Sequence, residues 1–266
     1  MTAIYHHSRG VGTVLIRHDS DAPLGIGRAS GDSARMCVVA LAWRVHPDWP
    51  LILVGNRDEF HDRPSAPLAA WNDGSGIVAG RDLQAGGTWM GLHAPSGRVV
   101  VVTNVRGAMP DPAKESRGAL VTDLLRGSGR FAAPAEFDLD RFNAFNLFAA
   151  DGEARLLTNR PAPRIALLDA GVHAIANEPA DRPCPRAERL RAALAAVVDA
   201  GSDPAGLLDT LTATGDPALF LHGDVYGTRA STLIAIDTGG TAHLTENRYG
   251  KGGRPAGTTA LEIRIG

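Results

Sequence analysis

The chain has 266 residues, 44% of them hydrophobic, and its 27 Lys and Arg nearly balance its 29 Asp and Glu. This length allows one large domain or two small ones, and the near-zero net charge leaves no electrostatic footprint for nucleic acid or an anionic membrane. Apolar runs such as 99–102 and 145–150 fall far short of the ~20 residues of a transmembrane helix. We therefore predict no membrane span and expect a small-molecule site.

Residues 1–35 are predicted to lie outside the fold. They show no helical or strand periodicity, and their apolar stretch at 14–16 is too short for the hydrophobic region of a signal peptide. Three explanations stay open: a start codon assigned too far upstream, a propeptide removed by self-cleavage, or a disordered extension. We favour the first, because Met36-Cys37 can itself serve as a start and a small second residue permits removal of the methionine.

From Cys37 onward the chain reads as many short strands. Residues 37–45 and 51–55, separated by a turn signal at 46–48, predict a hairpin. Further strands are predicted at 76–80, 88–93, 98–104, 145–150, 154–159, 164–168, 172–177, 231–237, 241–246 and 258–265. Helical periodicity covers 116–126, 186–199 and 204–212. Adjacent strands with helices clustered in the middle predict one α+β domain of antiparallel sheets over 36–266.

The two cysteines, Cys37 and Cys184, allow one disulfide. A chain of this length without a secretory signal is better interpreted as reduced and cytoplasmic. Any thiol chemistry then comes from a single residue.

Common cofactor and metal motifs are missing from the sequence. The glycine run at 85–91 has neither phosphate-loop nor dinucleotide-binding spacing, and no His-Glu-x-x-His or Cys-x-x-Cys pattern supports zinc. Gly-x-Ser-x-Gly is also absent. We predict no cofactor and no metal.

A polar block, Asn56-Arg57-Asp58-Glu59, follows an apolar strand. Alone it would indicate a strand end with a solvated ion pair. Its significance comes from Cys37 upstream, since a cysteine that begins a mature chain carries its own base, the α-amino group with a pKa near ~8. In the sequence as written, a peptide bond occupies the place of that amine.

Ordered blocks along residues 36–266 resemble the NRDE family, which is named for Asn-Arg-Asp-Glu and includes the transport and Golgi organisation protein 2 homologues. The resemblance rests on Met36-Cys37, 56–60 with Arg63-Pro64, 79–83 leading into 86–89, 102–104, 116–118, 145–147 and 226–232. That family is in turn similar to the N-terminal-nucleophile cysteine hydrolases such as penicillin V acylase and bile-salt hydrolase. The resemblance implies a four-layer αββα fold of two antiparallel sheets and cleavage of non-peptide amide bonds.

The same resemblance implies roles for individual residues. Cys37 matches the nucleophile, and Asn104 and Asn177 match positions that help to bind the oxyanion and the α-amino group. Arg229 matches a late active-site arginine. Arg57 and Asp58 complete the implied catalytic set.

The chain departs from the acylases in two places. Their early motif places Arg three residues before Asp, whereas Arg57 and Asp58 are adjacent and would face opposite sides of a regular strand. An ungapped match would instead put Asn56 and Glu59 in those positions. After Asn177, a Thr-Pro-Trp stretch is replaced by 180–185, so the substrate rim is expected to differ.

Three functions follow as alternatives. The first is an amidohydrolase in which Cys37 attacks an amide carbonyl. The second is a lipid or haem binding or trafficking protein on the same fold, and the third is an adaptor without pocket chemistry. Neither the ligand nor the oligomeric state follows from the sequence.

Overall fold

The computed structural model describes residues 37–107 and 109–266. The predicted extension at 1–35 lies outside these residues. The described chain forms thirteen strands, which are β1 Val38–Trp43, β2 Leu51–Phe60, β3 Ser65–Ala70, β4 Ile77–Asp82, β5 Met90–His93, β6 Arg98–Asn104, β7 Phe145–Asp151, β8 Glu153–Thr158, β9 Arg164–Leu168, β10 Gly171–Ile175, β11 Tyr226–Ile236, β12 Thr241–Tyr249 and β13 Pro255–Arg264. The helices are α1 Arg117–Arg126, α2 Pro185–Ala200 and α3 Leu207–Thr210, with 3-10 turns at Glu136–Arg141, Pro204–Gly206 and Lys251–Gly253.

Two fully antiparallel sheets make up the centre of the fold. The first has the order β10-β1-β2-β11-β12-β13, and the second runs from β3 to β9 in chain order. Every residue of β1 is buried, because both faces of its sheet are covered. This explains its continuous apolar sequence in place of the alternation of a half-exposed strand.

Three apolar clusters define four layers. Val39, Leu41 and Leu53 belong to the core between the sheets. The opposite face of the first sheet packs Val38 and Ile52 among residues of α2 and α3, and the outer face of the second sheet packs on α1. The order is helix, sheet, sheet, helix, so the predicted αββα sandwich of antiparallel sheets is confirmed.

Local signals explain where the two longer helices begin and end. Pro185 occupies the first turn of α2, where its missing N–H costs nothing. Gly127 and Gly201 follow α1 and α2 with left-handed backbone, φ 63° and 58°, which a glycine adopts without steric cost. The predicted helix at 204–212 is a 3-10 turn followed by the short α3.

The largest differences between the structure and the predicted elements concern three strands. β3 was not predicted, because this edge strand is mostly exposed and Pro67 lies where its pairing with β4 is irregular. β11 begins at Tyr226, earlier than expected. β2 continues to Phe60, so the polar block 56–59 lies within a strand and not at its end.

Candidate active site

Cys37 precedes β1, and its buried side chain lies on the wall of a cavity of about 710 Å³. Its Sγ accepts a hydrogen bond from the backbone N–H of Asp58 at 3.4 Å and lies 3.7 Å from the carbonyl oxygen of the same residue. Burial, reinforced by the negative charge of Asp58, raises the pKa of the thiol to about 12. With a peptide bond on its nitrogen, Cys37 is therefore a protonated thiol at neutral pH.

The polar block of β2 divides between the two faces of its sheet. Arg57 and Glu59 line the cavity and are linked at 3.5 Å, whereas the side chains of Asn56 and Asp58 have their partners on the helix side. This alternation is that of a regular strand. Arg57 and Asp58 therefore face opposite sides, as do Asn56 and Glu59.

Asn56 is fully buried and ties β2 to the segment after α2. Its Nδ2 donates to the carbonyl oxygens of Leu211 and Leu219 at 2.9 and 2.7 Å. Its Oδ1 accepts from Ser231 Oγ at 2.6 Å, and the two residues are directly opposite each other in β2 and β11. Both polar atoms of the side chain gain partners inside the core through these three hydrogen bonds, which gives Asn56 a structural role.

Asp58 forms a buried ion pair that the sequence analysis missed. Its Oδ2 lies 2.7 Å from Nη1 of Arg186, and both side chains are almost completely inaccessible. Thr228 Oγ1 donates to Asp58 Oδ1 at 2.6 Å. Burial raises the pKa of Asp58, while Arg186 and Thr228 oppose that increase. The backbone of Asp58 thus contacts the thiol of Cys37, whereas its carboxylate lies on the helix side of the sheet and pairs with Arg186.

A signal for Arg186 was present in the sequence. It stands four residues before Leu190 and eight before Leu194, on the same face of α2, and all three side chains are buried. A charged residue on an apolar helical face needs a buried partner. The sequence could have pointed to such a partner, but only the fold identifies it as Asp58.

On the cavity side, charged groups from several strands form one network. Arg63 Nε lies 2.6 Å from Asp82 Oδ2, and the same carboxylate is 3.7 Å from Arg57. Arg57 also lowers the pKa of Cys37, although burial and Asp58 outweigh it. The guanidinium of Arg57 therefore lies on the same cavity-lining side as the Cys37 thiol.

Arg229 reaches the cavity through a β-bulge. The register between β2 and β11 shifts between Thr228 and Ala230, so Arg229 has no residue opposite it. Its Nη1 donates to the carbonyl oxygens of Phe60 and Arg63 at 2.8 and 3.1 Å. Bulges of this kind redirect a side chain next to functional sites. Arg229 lines the same cavity as Cys37.

Asn104 and Asn177 meet beside Cys37. Asn104 ends β6 and its side chain lines the cavity. Asn177 is buried, and its Nδ2 donates to the backbone oxygen of Asn104. The β1–β10 pairing ends with Val39 and Ile175, so Asn177 follows the last paired residue of β10 by two positions and Cys37 precedes that of β1 by two. Asn177 thus connects the segment of the thiol with the strand end that carries Asn104.

The start of α1 also borders the cavity, through Ser116, Arg117 and Gly118. These residues contribute to the resemblance described above, but no role of Arg117 follows from the sequence. Gly87 lets the helix approach closely, because a Cβ there would lie 2.5 Å from the carbonyl carbon of Gly118. The two glycines set how far the first turn of α1 reaches into the site.

Gly87→Ala is therefore expected to lower the free energy of unfolding by about 1–3 kcal/mol, because backbone must move to admit the methyl group. Gly206→Ala is the matched control: no atom lies within 4 Å of a Cβ at that position, and its φ of −62° suits alanine. Urea unfolding of both variants measures the difference. Equal stability of the two variants would show that α1 can shift freely.

Two absences concern the described residues only. Within 37–107 and 109–266, no three His, Cys, Asp or Glu side chains come together in a way that could hold a metal ion. In the same part of the chain, no helix combines the length and apolar character required to cross a membrane.

Comparison with known proteins assigns the chain to a family. The family model described as Transport and Golgi organisation 2 matches residues 36–251. The chain belongs to this family. The match begins beside Cys37 and includes all residues of the candidate site discussed above.

Individual relatives agree with this assignment. The chain is 27% identical over 255 residues to the mouse Transport and Golgi organization 2 homolog and 28% identical to the human protein, in each case over 79% of this chain and 92% of the relative. Among solved structures, it is similar to a Caenorhabditis elegans N-acylethanolamine-hydrolyzing acid amidase ortholog, at 10% identity and a TM-score of 0.47, covering 74% of this chain and 92% of the other. The resemblance to the NRDE family is confirmed.

The structure brings together most of the site predicted for this member of the family. Cys37, Arg57, Asn104 and Arg229 line one cavity, while Asp58 reaches it next to the cysteine. Asn177 lies behind Asn104, to which it is hydrogen-bonded. The catalytic roles of these residues stay predictions.

Proposed function

We propose that the chain, when it begins at Cys37, is an amidohydrolase that cleaves a non-peptide C–N amide bond. One observation carries the proposal: the Cys37 thiol lies on the wall of a substrate-sized cavity that Asn104, Arg57 and Arg229 also line. These are the residue types that acyl transfer requires, namely a nucleophile, an amide donor and nearby cations.

In a chain that begins at Cys37, the proposed reaction requires the α-amino group, the thiol and one water molecule. The α-amino group of Cys37 takes the thiol proton, and the thiolate attacks the amide carbonyl to form a C–S bond. As the C–N bond breaks, the leaving amine receives that proton. Water then hydrolyses the thioester, and the acid product leaves. The Asn104 side chain donates to the oxyanion, and Asn177 positions Asn104 through its backbone oxygen.

The high pKa of the Cys37 thiol means that the proposed activity requires a free α-amino group on Cys37. At a pKa of about 12 the thiol of the peptide-linked chain is not a nucleophile at neutral pH. A free α-amino group with a pKa near ~8 would supply both a base and, when protonated, a neighbouring positive charge. We therefore propose that only a chain with Cys37 as its first residue is active.

Expression from Met36 tests the proposal. We expect intact-mass analysis to show loss of the methionine, and incubation with a panel of fatty acyl amides to give an acyl adduct on Cys37 and released amine. Asn104→Ala should reduce turnover by about 10²–10³. Cys37→Ala, which permits the same methionine removal, should abolish turnover, and Cys184→Ala should leave it unchanged.

The outcome also separates catalysis from binding. Retention of Met36, or turnover that survives Cys37→Ala, contradicts the proposal. If acyl ligands or haem raise the melting temperature equally in the native chain and in Cys37→Ala without any amine release, the lipid or haem binding alternative replaces it.

A further inference from the structure

Two guanidinium groups in the cavity have no carboxylate partner among the described residues. Arg117 donates from Nη1 to the carbonyl oxygen of Ala144 at 3.1 Å. The described partners of Arg229 are two carbonyl oxygens and the Ser65 hydroxyl. By contrast, the four other arginines that line the cavity lie within 4.0 Å of a carboxylate: Arg57, Arg63, Arg81 and Arg248.

These two cations are also partly removed from water. Burial lowers the pKa of both Arg117 and Arg229, and Arg57 adds to the decrease at Arg229. Glu59 opposes the decrease at both residues, and Asp62 opposes it at Arg229. A half-buried charge with no carboxylate at ion-pair distance is only partly compensated. Seven basic and six acidic residues line the cavity, and one of the acids, Asp58, directs its carboxylate to Arg186. Counted over its whole lining, the cavity therefore carries an excess of positive charge.

The first turn of α1 also carries positive charge. Arg117 is its first residue, Ser116 makes no side-chain capping bond, and the turn contains no acidic residue. Uncompensated N–H groups at a helix start carry a partial positive charge. This end of α1 borders the cavity, so its field adds to that of the two arginines.

From these observations we propose that Arg117 and Arg229 form a subsite for an anionic oxygen group, carboxylate or phosphate, and that the amide substrate carries such a group. The substrate assignment rests on the proposed function, whereas the subsite itself does not. Guanidinium groups suit it because their planar donors match carboxylate and phosphate oxygens.

The main competing explanation assigns both cations to the thiolate of Cys37. Cys37 does act on Arg117, raising its pKa against the effect of burial. Removing the sulfur separates the two explanations. A subsite for substrate keeps the same preference for anions in Cys37→Ala, whereas cations that were neutralised by the thiolate bind anions more tightly once the sulfur is gone.

Isothermal titration of the full chain with matched probes tests the subsite. The probes are N-octanoylglycine and its primary amide, which differ only in the carboxylate, and octyl phosphate, which distinguishes the two sources of anionic oxygen. We expect the anionic probe to bind at least ~10-fold more tightly than the neutral amide, in both the native chain and Cys37→Ala. Whichever anionic probe binds more tightly identifies the group.

Substitutions of the two arginines test whether they cause the preference for the anionic probe. Arg117→Gln and Arg229→Gln should each remove most of the preference, and Arg117→Lys should retain part of it because the charge remains. Arg155→Gln, at an exposed arginine of β8 that is not part of the cavity, is the control and should bind like the native chain.

Three results would overturn the subsite. These are equal affinity for charged and neutral probes, a preference that survives both glutamine variants, and no measurable binding of either anionic probe at millimolar concentration. Since the titration requires no turnover, an anion preference without amide hydrolysis would leave the subsite standing while the proposed function fails.

Discussion

Replacing Arg186 by methionine is expected to lower the free energy of unfolding by about 3–5 kcal/mol, because Asp58 would remain buried without its counter-ion. The two side chains are 2.7 Å apart and almost inaccessible to solvent. Urea unfolding monitored by circular dichroism measures the change. Arg191→Met is the matched control on the same helix: Arg191 pairs with Glu188 at the surface, so its loss should cost less than about 1 kcal/mol.

A double-mutant cycle separates the ion pair from the loss of packing. Asp58→Asn alone should also destabilise the chain, because it leaves the guanidinium uncompensated. The double variant, Asp58→Asn with Arg186→Met, should be more stable than the sum of the two single changes predicts. Additive effects would show that the two groups do not depend on each other for their burial.

The second large effect concerns the reactivity of Cys37. In the full chain, its alkylation by iodoacetamide at pH 8 is expected to be about 10³-fold slower than in denaturant, because the thiol pKa rises from an ordinary value of 9.0 to about 12 on folding. Below pH 12, the native rate should increase about tenfold per pH unit. Peptide mass mapping over a pH series measures this rate separately from that of the less buried Cys184.

The same shift predicts how stability changes with pH. The thiol is protonated in both states below pH 9, so its ionisation has no effect there. Between pH 9 and 12 the unfolded chain releases the proton while the folded chain retains it, which lowers the free energy of unfolding by up to ~4 kcal/mol. Cys37→Ala should be less sensitive to pH over this interval. Equal alkylation rates in native and denatured chains would contradict both expectations.

The sequence was informative about the layers of the fold. Because β1 is buried on both faces, its uninterrupted apolar run was easy to recognise as a strand. The helix at 117–126 was predicted almost to its ends, since Gly127 permits the left-handed backbone that follows it. β3 escaped prediction because this exposed edge strand contains Pro67 and has no β-branched or aromatic residue.

The sequence identified only some of the residues of the candidate site. Cys37, Asn104, Asn177 and Arg229 were identified from motifs whose order along the chain resembles a family. Arg117 and Arg186 were not, because the significance of each depends on its partners. Arg186 acquires its role from Asp58, which precedes it by 128 residues in the chain. Arg117 is notable because no carboxylate of the described residues lies within ion-pair distance of it.

By itself, the sequence determined most of the segments that form strands and helices and which residue types can carry acyl transfer, since periodicity and side-chain chemistry are local properties. Only the tertiary structure decided how the polar block of β2 is used. The alternation of a strand sends Arg57 and Glu59 to the cavity and Asn56 and Asp58 to the helices. Which face becomes a cavity and which becomes core depends on the layers packed against each side, and no local pattern contains that information.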